Sequence, residues 1–193
     1  MAAIDSRYRG FLKPTRSGNV GDPTDAVRKW VAGITGLDLS RVRRRWLAKP
    51  GTLPAIGTDW CAVGIDFIET PGTPDQVGVK GVLDKPESGY SVSVSHQRIR
   101  FVASFYGANA LFLADEFREG AQVWQNRSEL ERLGLALQAI DPEARHVPDF
   151  VGEQWADRFD VQFTLGRAVA RTYGVRTLAR VGQIVINTEK GKL

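Results

Sequence analysis

The chain has 193 residues and a formal net charge of +4 at pH 7, with 42% hydrophobic and 25% charged residues. This balance is ordinary for a globular protein of one domain, so it excludes a chain that is disordered throughout. The single cysteine, Cys61, excludes an internal disulfide and a cysteine-based metal cluster. No stretch approaches the roughly 18 apolar residues of a membrane helix, and residues 1–10 lack the apolar centre of a secretory signal. We therefore expect a protein that is made in the cytoplasm and has no membrane partner.

An irregular, solvated lead is expected over residues 1–21, where turn-forming and basic residues dominate. The first helix follows, with Asp22 at the N-cap and Pro23 at the first helical position. Its apolar residues recur at helical spacing and end before Gly36, a natural helix terminator. These apolar residues are Val27, Trp30, Val31 and Ile34.

A run of arginines follows the first helix, between Leu39 and Trp46. We predict an extended strand there, because the segment has no helical periodicity and is followed by a turn-rich loop of Pro and Gly residues. Alternation along that strand places Arg41, Arg43 and Arg45 on one face, and Val42 and Arg44 on the other. Three interpretations of the arginine row stay open: a solvated edge strand, a contact with a neighbouring subunit, and a contact with the DNA backbone.

The middle of the chain predicts strands. Cys61, Val63, Ile65 and Phe67 alternate with small or polar residues, as in a half-buried strand. Residues 70–89 are rich in Pro and Gly and predict either a protruding hairpin or a long loop. The apolar residues then shift by one position, between a set that ends at Val94 and a set that begins at Ile99. Because strand side chains alternate with period two, this shift predicts a bulge, a bend or a turn between the two sets.

The second half of the chain predicts two helices and further strands. A helix begins near Asn109, and its buried stripe is Ala110, Leu113, Ala114, Phe117, Ala121 and Trp124. A short third helix has Asn126 and Glu129 as a capping pair and ends at Gly134. The strands are residues 135–139, a long one that alternates from Trp155 to Leu165 and decays toward residue 173, and a return strand over residues 175–186 after a turn at Gly174.

The predicted fold class is therefore α+β, a single domain over residues 22–187 followed by a charged tail at residues 188–193. Its sheet is mainly antiparallel or mixed, is flanked by about three helices and carries an extended hairpin or arm.

No catalytic site, metal site or cofactor site is predicted. His96 and His146 lie in different elements without further zinc ligands nearby, and Cys61 lies on the apolar side of its strand. Asp115, Glu116 and Glu119 form a solvated helix face. The enzymatic alternative is a metal-dependent nuclease that uses Asp66, or Asp115 with Glu116.

Tryptophan is abundant, with five residues. Trp30 and Trp124 fit buried helix stripes, whereas Trp46 and Trp60 flank the loop of Pro and Gly residues. These two side chains either anchor that loop or serve as anchors of an interface, and core packing is the default for each tryptophan taken singly.

Four stretches in a fixed order resemble the phage neck terminator (tail terminator) family. They are AVRKWVAGITGLDLSRVRRR at 26–45, IGTDWCAVGI at 56–65, FYGAN at 105–109 and WADRFDVQF at 155–163. The resemblance spans roughly residues 22–187. It implies a structural virion protein that forms a ring, a hexamer, on the head-proximal end of the tail tube, where it stops tube polymerisation and meets the head connector.

The partners that the resemblance implies are further copies of the chain, the tail tube and sheath proteins, the head-to-tail connector or adaptor, and genomic DNA that passes through the lumen without specific binding. No catalysis and no cofactor are implied. The candidate subunit-interface residues are Arg41, Arg43, Arg45, Trp46 and Trp60. The alternatives are another head-to-tail adaptor or head-completion protein, a DNA-binding protein, and the nuclease.

Overall fold

The computed structural model describes residues 10–19, 21–46, 52–82, 85–151 and 153–176. Within these ranges the helices are α1 (Thr24–Thr35), α2 (Ala110–Gly120) and α3 (Trp124–Arg132), with a 3₁₀ turn at Leu39–Arg41. The strands are β1 (Arg16–Gly18), β2 (Val42–Arg44), β3 (Trp60–Glu69), β4 (Asp75–Val82), β5 (Lys85–Tyr106), β6 (Ala136–Ile140), β7 (Arg145–His146), β8 (Asp149–Val151), β9 (Gln154–Ala156) and β10 (Arg158–Arg176).

Eight of the described strands form one mixed sheet in the order β1-β10-β5-β3-β2, with β4 paired to β5, and with β6 and β7 paired to β10. The β2–β3 pair is parallel, whereas the other pairs with a described register are antiparallel. Strands β8 and β9 form a separate two-stranded sheet. These elements confirm the predicted α+β class with a mixed sheet and three helices.

The chain divides into two compact units. The helical unit is Asn19–Thr73 with Ser95–Val169, and the hairpin unit is Met1–Gly18 with Pro74–Val94 and Ala170–Leu193. In the hairpin unit, β4 pairs antiparallel with β5, which decides the prediction for residues 70–89 in favour of a hairpin. Residues 16–18, inside the expected irregular lead, pair with β10.

In the helical unit, the three helices pack on one face of the sheet. The core beneath them contains Trp30, Phe101, Phe105, Phe117 and Phe163. Trp30 meets Phe117 edge-on with ring centroids 5.3 Å apart, and Phe101 stacks on Phe163 at 5.6 Å. Aromatic rings in these arrangements stabilise the core by more than the area they bury. The predicted stripe of α1 and most of the stripe of α2 are therefore confirmed.

Trp124 corrects the prediction for the end of the α2 stripe, because its side chain is 80% exposed. Helix α2 ends at Gly120 and the chain turns before α3 begins at Trp124, so the helical phase does not continue across the break. The predicted cap of α3 is also wrong. Asn126 lies inside α3 and its Nδ2 donates to the carbonyl oxygen of Gly120 at 2.8 Å, while Glu129 pairs with Arg132.

The predicted shift of phase near Val94 is wrong in its location. Strand β5 runs unbroken, and its odd-numbered residues are buried on both sides of that point: Ser91, Ser93, Ser95, Ile99, Phe101, Ala103 and Phe105. The buried face of β5 stays the same along the strand, but the residues on it change from serines to mainly apolar residues. The irregularities lie in the partner strands, between Val77 and Val79 in β4 and between Ile65 and Phe67 in β3. Phe67 is consequently exposed, not half-buried.

Two predictions about the last long strand are also corrected. Trp155 lies in β9 and is exposed, because the chain breaks from regular pairing at Asp157 before β10 begins. Gly174 lies within β10 and forms no turn. Residues 177–186 of the predicted return strand, like the tail at residues 188–193 and residues 1–9, lie outside the described residues.

Candidate subunit-contact site

The second face of the sheet in the helical unit carries polar and aromatic side chains instead of helices. Arg44 on β2 turns toward α1, where it pairs with Asp22 and Asp25, so alternation turns Arg43 and Arg45 the other way. We call this second side the helix-free face. Its residues are Arg43, Arg45, Trp46, Trp60, Ser104, Tyr106, Arg158 and Asp160.

A stacked aromatic pair lies at the end of the helix-free face where β3 begins. Trp60 and Tyr106 are cross-strand partners, and their rings stack at 4.3 Å with an angle of 6° between planes. The guanidinium of Arg43 lies 6.0 Å from the centre of the Trp60 ring, and its Nη1 donates to the carbonyl oxygen of Thr52 at 2.6 Å. Arg43 therefore ties the loop before β3 to the sheet.

Trp46 is held in place although 68% of its surface is exposed. Its Nε1 donates to the carbonyl oxygen of Ile65 at 3.1 Å, and the Arg45 guanidinium lies 5.2 Å from its ring centre. Arg45 also donates to the buried hydroxyl of Ser104. Gly64 makes room for this arrangement, since a Cβ at that position would lie 2.9 Å from Trp46 Nε1. A fixed, exposed indole has the properties of an interface anchor.

Arg158 organises the carboxylates of the helix-free face. It donates to both oxygens of Asp149 at 2.9 and 3.1 Å and to both oxygens of Asp160 at 2.6 and 2.8 Å. The side chains of Arg158 and Asp160 are only 12% and 11% exposed. The hydrogen bonds from Arg158 to Asp160 raise the pKa of the guanidinium further above its ordinary value.

Tyr106 joins this network through its hydroxyl, which donates to Asp149 Oδ2 at 3.1 Å. Burial, aided by the hydrogen bond to Asp149, raises the pKa of Tyr106 to about 12. The phenol therefore remains a hydrogen-bond donor at neutral pH.

A cavity of about 90 Å³ lies beside the aromatic pair. Its lining includes Leu53, Pro54, Ile56, Trp60, Tyr106 and Asp149. Sites for small-molecule ligands have volumes of roughly 300–1,000 Å³. The cavity is therefore a gap where a loop approaches the β8–β9 hairpin, with too little room for a substrate of ordinary size.

The family model for phage neck terminator proteins matches residues 23–191 of the chain. The chain belongs to the phage neck terminator family. The resemblance found in the sequence is thereby confirmed. No curated protein matches the chain. Membership gives the chain a structural role in the neck of a tailed phage, a place in the virion, and association with head and tail components. A structural family also implies a protein that is not an enzyme.

Four of the five predicted contact residues of this neck terminator family member meet on the helix-free face: Arg43, Arg45, Trp46 and Trp60. Arg41 does not join them, which corrects its predicted strand position. The carboxylate of Asp38 accepts a hydrogen bond from Ser40 N at 2.8 Å and caps a 3₁₀ turn that includes Arg41. Arg41 therefore precedes β2, and the alternation of side chains along the strand does not apply to it. Among the described residues Arg41 makes no side-chain hydrogen bond or ion pair, and it is exposed.

Sequence reasoning missed Arg158, Asp160, Asp149 and Tyr106 as parts of the site. One signal was present, because Arg158 and Asp160 are two residues apart on a predicted strand and so share a face. Their partners Tyr106 and Asp149 lie on other elements and follow only from the tertiary structure.

The remaining polar candidates do not assemble into a catalytic group. Burial raises the pKa of the Cys61 thiol well above its usual value, which suppresses the reactive thiolate. His146 lies in β7, where its Nε2 is 3.2 Å from Asp157 and its ring stacks on Phe159. Asp115 pairs with Arg118. In the described part of the chain, no three His, Cys, Asp or Glu residues are close enough to hold a metal ion. None of the described helices is both long and apolar enough to cross a membrane.

Proposed function

We propose that the chain forms a closed ring of identical subunits, a hexamer, at the head-proximal end of the tail tube. The ring stops tube polymerisation and joins the tail to the head connector. The observation that carries this proposal is the family match over residues 23–191. The partners are the tail tube and sheath proteins on one side and the connector or adaptor on the other. The subunits are made in the host cytoplasm.

Two features of the helical unit support a ring: the two sides of its sheet differ, and it carries strand edges and fixed aromatic side chains. Subunits that close a ring by rotation need two different surfaces that complement each other. The sheet begins at β2, a three-residue strand flanked by arginines, whereas the opposite side of β10 carries β6 and β7. Strand edges and fixed aromatic side chains are common contact elements. We propose Arg41, Arg43, Arg45, Trp46 and Trp60 as contact residues.

Genomic DNA has to pass through the lumen of such a ring. A net charge of +4 favours weak, non-specific contact with phosphates, which depends strongly on salt. Binding of this kind lets DNA slide, whereas tight phosphate binding would oppose passage. We therefore expect no sequence preference.

The test combines mass measurement with negative-stain imaging, for the protein alone and with isolated tail tubes. We expect a particle of six subunits and a cap at one end of each tube, and tube growth from purified subunits should stop when the protein is added. A strictly monomeric protein, even with tail tubes present, would refute the proposal. Binding to portal-bearing heads without binding to tubes would assign the chain to a head-completion adaptor instead.

A further inference from the structure

The β8–β9 hairpin carries two large aromatic side chains into solvent. Phe150 and Trp155 are cross-strand partners, with ring centroids 5.2 Å apart. They are 62% and 69% exposed. Aromatic side chains are enriched at protein interfaces, and neighbouring exposed apolar groups mark contact sites more often than isolated ones.

The hairpin is fixed at its base. Two strands of three residues have too few contacts to be stable alone. Asp149, the first residue of β8, is held by Arg158 and by the Tyr106 hydroxyl. The aromatic pair is therefore presented in one orientation, which lowers the entropy lost when it docks on a partner.

Charge indicates what the hairpin docks on. Exposed carboxylates flank the aromatic pair, at Glu153 in the turn and at Asp157 after β9, where Asp157 also lies 3.2 Å from His146 Nε2. Elsewhere in the helical unit, Arg41 is an exposed cation that makes no side-chain hydrogen bond or ion pair among the described residues, and its charge acts on the nearby Asp38 carboxylate. Arg43, by contrast, is engaged within the subunit, as are Arg44 and Arg45. An aromatic and acidic hairpin and an exposed guanidinium are complementary in charge, and Arg also packs favourably on aromatic rings.

The two surfaces belong to different elements, and a head-to-tail contact joins two different surfaces of the chain. Arg41 immediately precedes β2, and in pairing order β3, β5 and β10 lie between β2 and β7, which leads into the hairpin. We propose that the β8–β9 hairpin of one subunit docks on the Arg41 side of β2 in a second copy of the chain. This inference rests on the proposed ring, and it names the contact that joins neighbouring subunits.

The first experimental arm is Trp155→Ala, compared with Trp124→Ala as a matched control. Both indoles are exposed, but Trp124 begins α3 and lies outside the proposed contact. Sedimentation velocity over a range of concentrations measures assembly, and circular dichroism verifies the fold. Loss of a central aromatic anchor should weaken subunit association roughly 30-fold, whereas Trp124→Ala should assemble like the wild type.

The second arm reverses charges at the proposed contact. It tests the contact even if Trp155→Ala does not fold. Arg41→Glu and Glu153→Arg should each weaken association about tenfold, and the double variant should recover to within about threefold of the wild type. Single losses without recovery in the double variant would overturn the pairing of these two surfaces.

The outcomes separate this inference from the proposed function. A wild-type ring that Trp155→Ala leaves unchanged would overturn the hairpin contact and keep the ring. A ring of unchanged mass that no longer caps tubes would also overturn it, because the hairpin would then face the tube. A monomeric wild type, with and without tubes, would instead remove the ring on which the inference rests.

Discussion

The two faces of the sheet in the helical unit achieve burial with different chemistry. Under the helices, phenylalanine rings and Trp30 fill the space between α1, α2 and the strands. On the helix-free face, Arg158 and Asp160 are buried almost as completely, but each charge is neutralised by hydrogen bonds within the subunit. Side chains such as Trp46 remain exposed there. The first face buries apolar surface, whereas the second keeps its polar groups hydrogen-bonded and leaves aromatic surface exposed.

The sharpest test of this difference is the removal of a core ring. Phe163 contacts Trp30, Phe101 and Phe117 with centroid distances of 5.9, 5.6 and 5.4 Å. Phe163→Ala should lower the free energy of unfolding by about 3–5 kcal/mol, because it removes buried apolar surface and leaves a cavity. Chemical denaturation measures the change.

Phe150→Ala is the matched control for that prediction, because it removes an exposed phenylalanine from the hairpin. We expect it to change the free energy of unfolding by less than about 1 kcal/mol. If both variants lowered the free energy of unfolding equally, the core beneath the helices would not be the main source of stability.

The face of the sheet beneath the helices was largely predictable from the sequence, because the regular spacing of apolar residues identifies it. Val161, Phe163 and Leu165 alternate along β10 and are all buried as predicted. The apolar pattern gives the wrong burial where an element ends inside it, as at Trp124 and Trp155. A helix end or a strand break there depends on how the following segment packs, which a local pattern does not encode.

The helix-free face was predictable only in part. Alternation within β2 correctly separated Arg44 from Arg43 and Arg45, but a local turn capped by Asp38 removed Arg41 from the series. Hydrogen bonds between distant segments, such as Tyr106 with Asp149, have no counterpart in sequence spacing. Whether these arginines and tryptophans contact a neighbouring subunit stays a prediction.

A smaller effect is expected when a charge is removed from the helix-free face. Arg158→Leu leaves Asp160 buried and without its partner, so it should lower the free energy of unfolding by about 2–3 kcal/mol. Adding Asp160→Asn should recover part of that loss, since the amide carries no charge that needs compensation. Denaturant unfolding of the four proteins in this double-mutant cycle measures the coupling.

Arg132→Leu is the control, because this arginine pairs with Glu129 in solvent. The expected change is within about 0.5 kcal/mol. Independent, fully additive effects of Arg158→Leu and Asp160→Asn would show that the two groups do not compensate each other.

The smallest effect concerns the side chain of β2 that turns toward the helices. Hydrogen bonds from Arg44, and then from Arg28, lower the pKa of Asp25 to about 2. A carboxylate with a lowered folded-state pKa stabilises the protein above its unfolded value of roughly 4, and this contribution disappears as the pH falls from about 4 to about 2. Asp25→Asn should therefore be less stable than the wild type at pH 6, by less than about 1 kcal/mol because the pair is partly solvated.

The difference between Asp25→Asn and the wild type should shrink as the pH is lowered, because the wild-type carboxylate becomes neutral as well. Unfolding free energies at pH 6, 4 and about 3 measure this trend. Asp66→Asn provides the control, since Asp66 is exposed on β3 and has no ion pair among the described residues. A difference that stays constant or grows toward acid pH would show that Asp25 does not act through its ionised form.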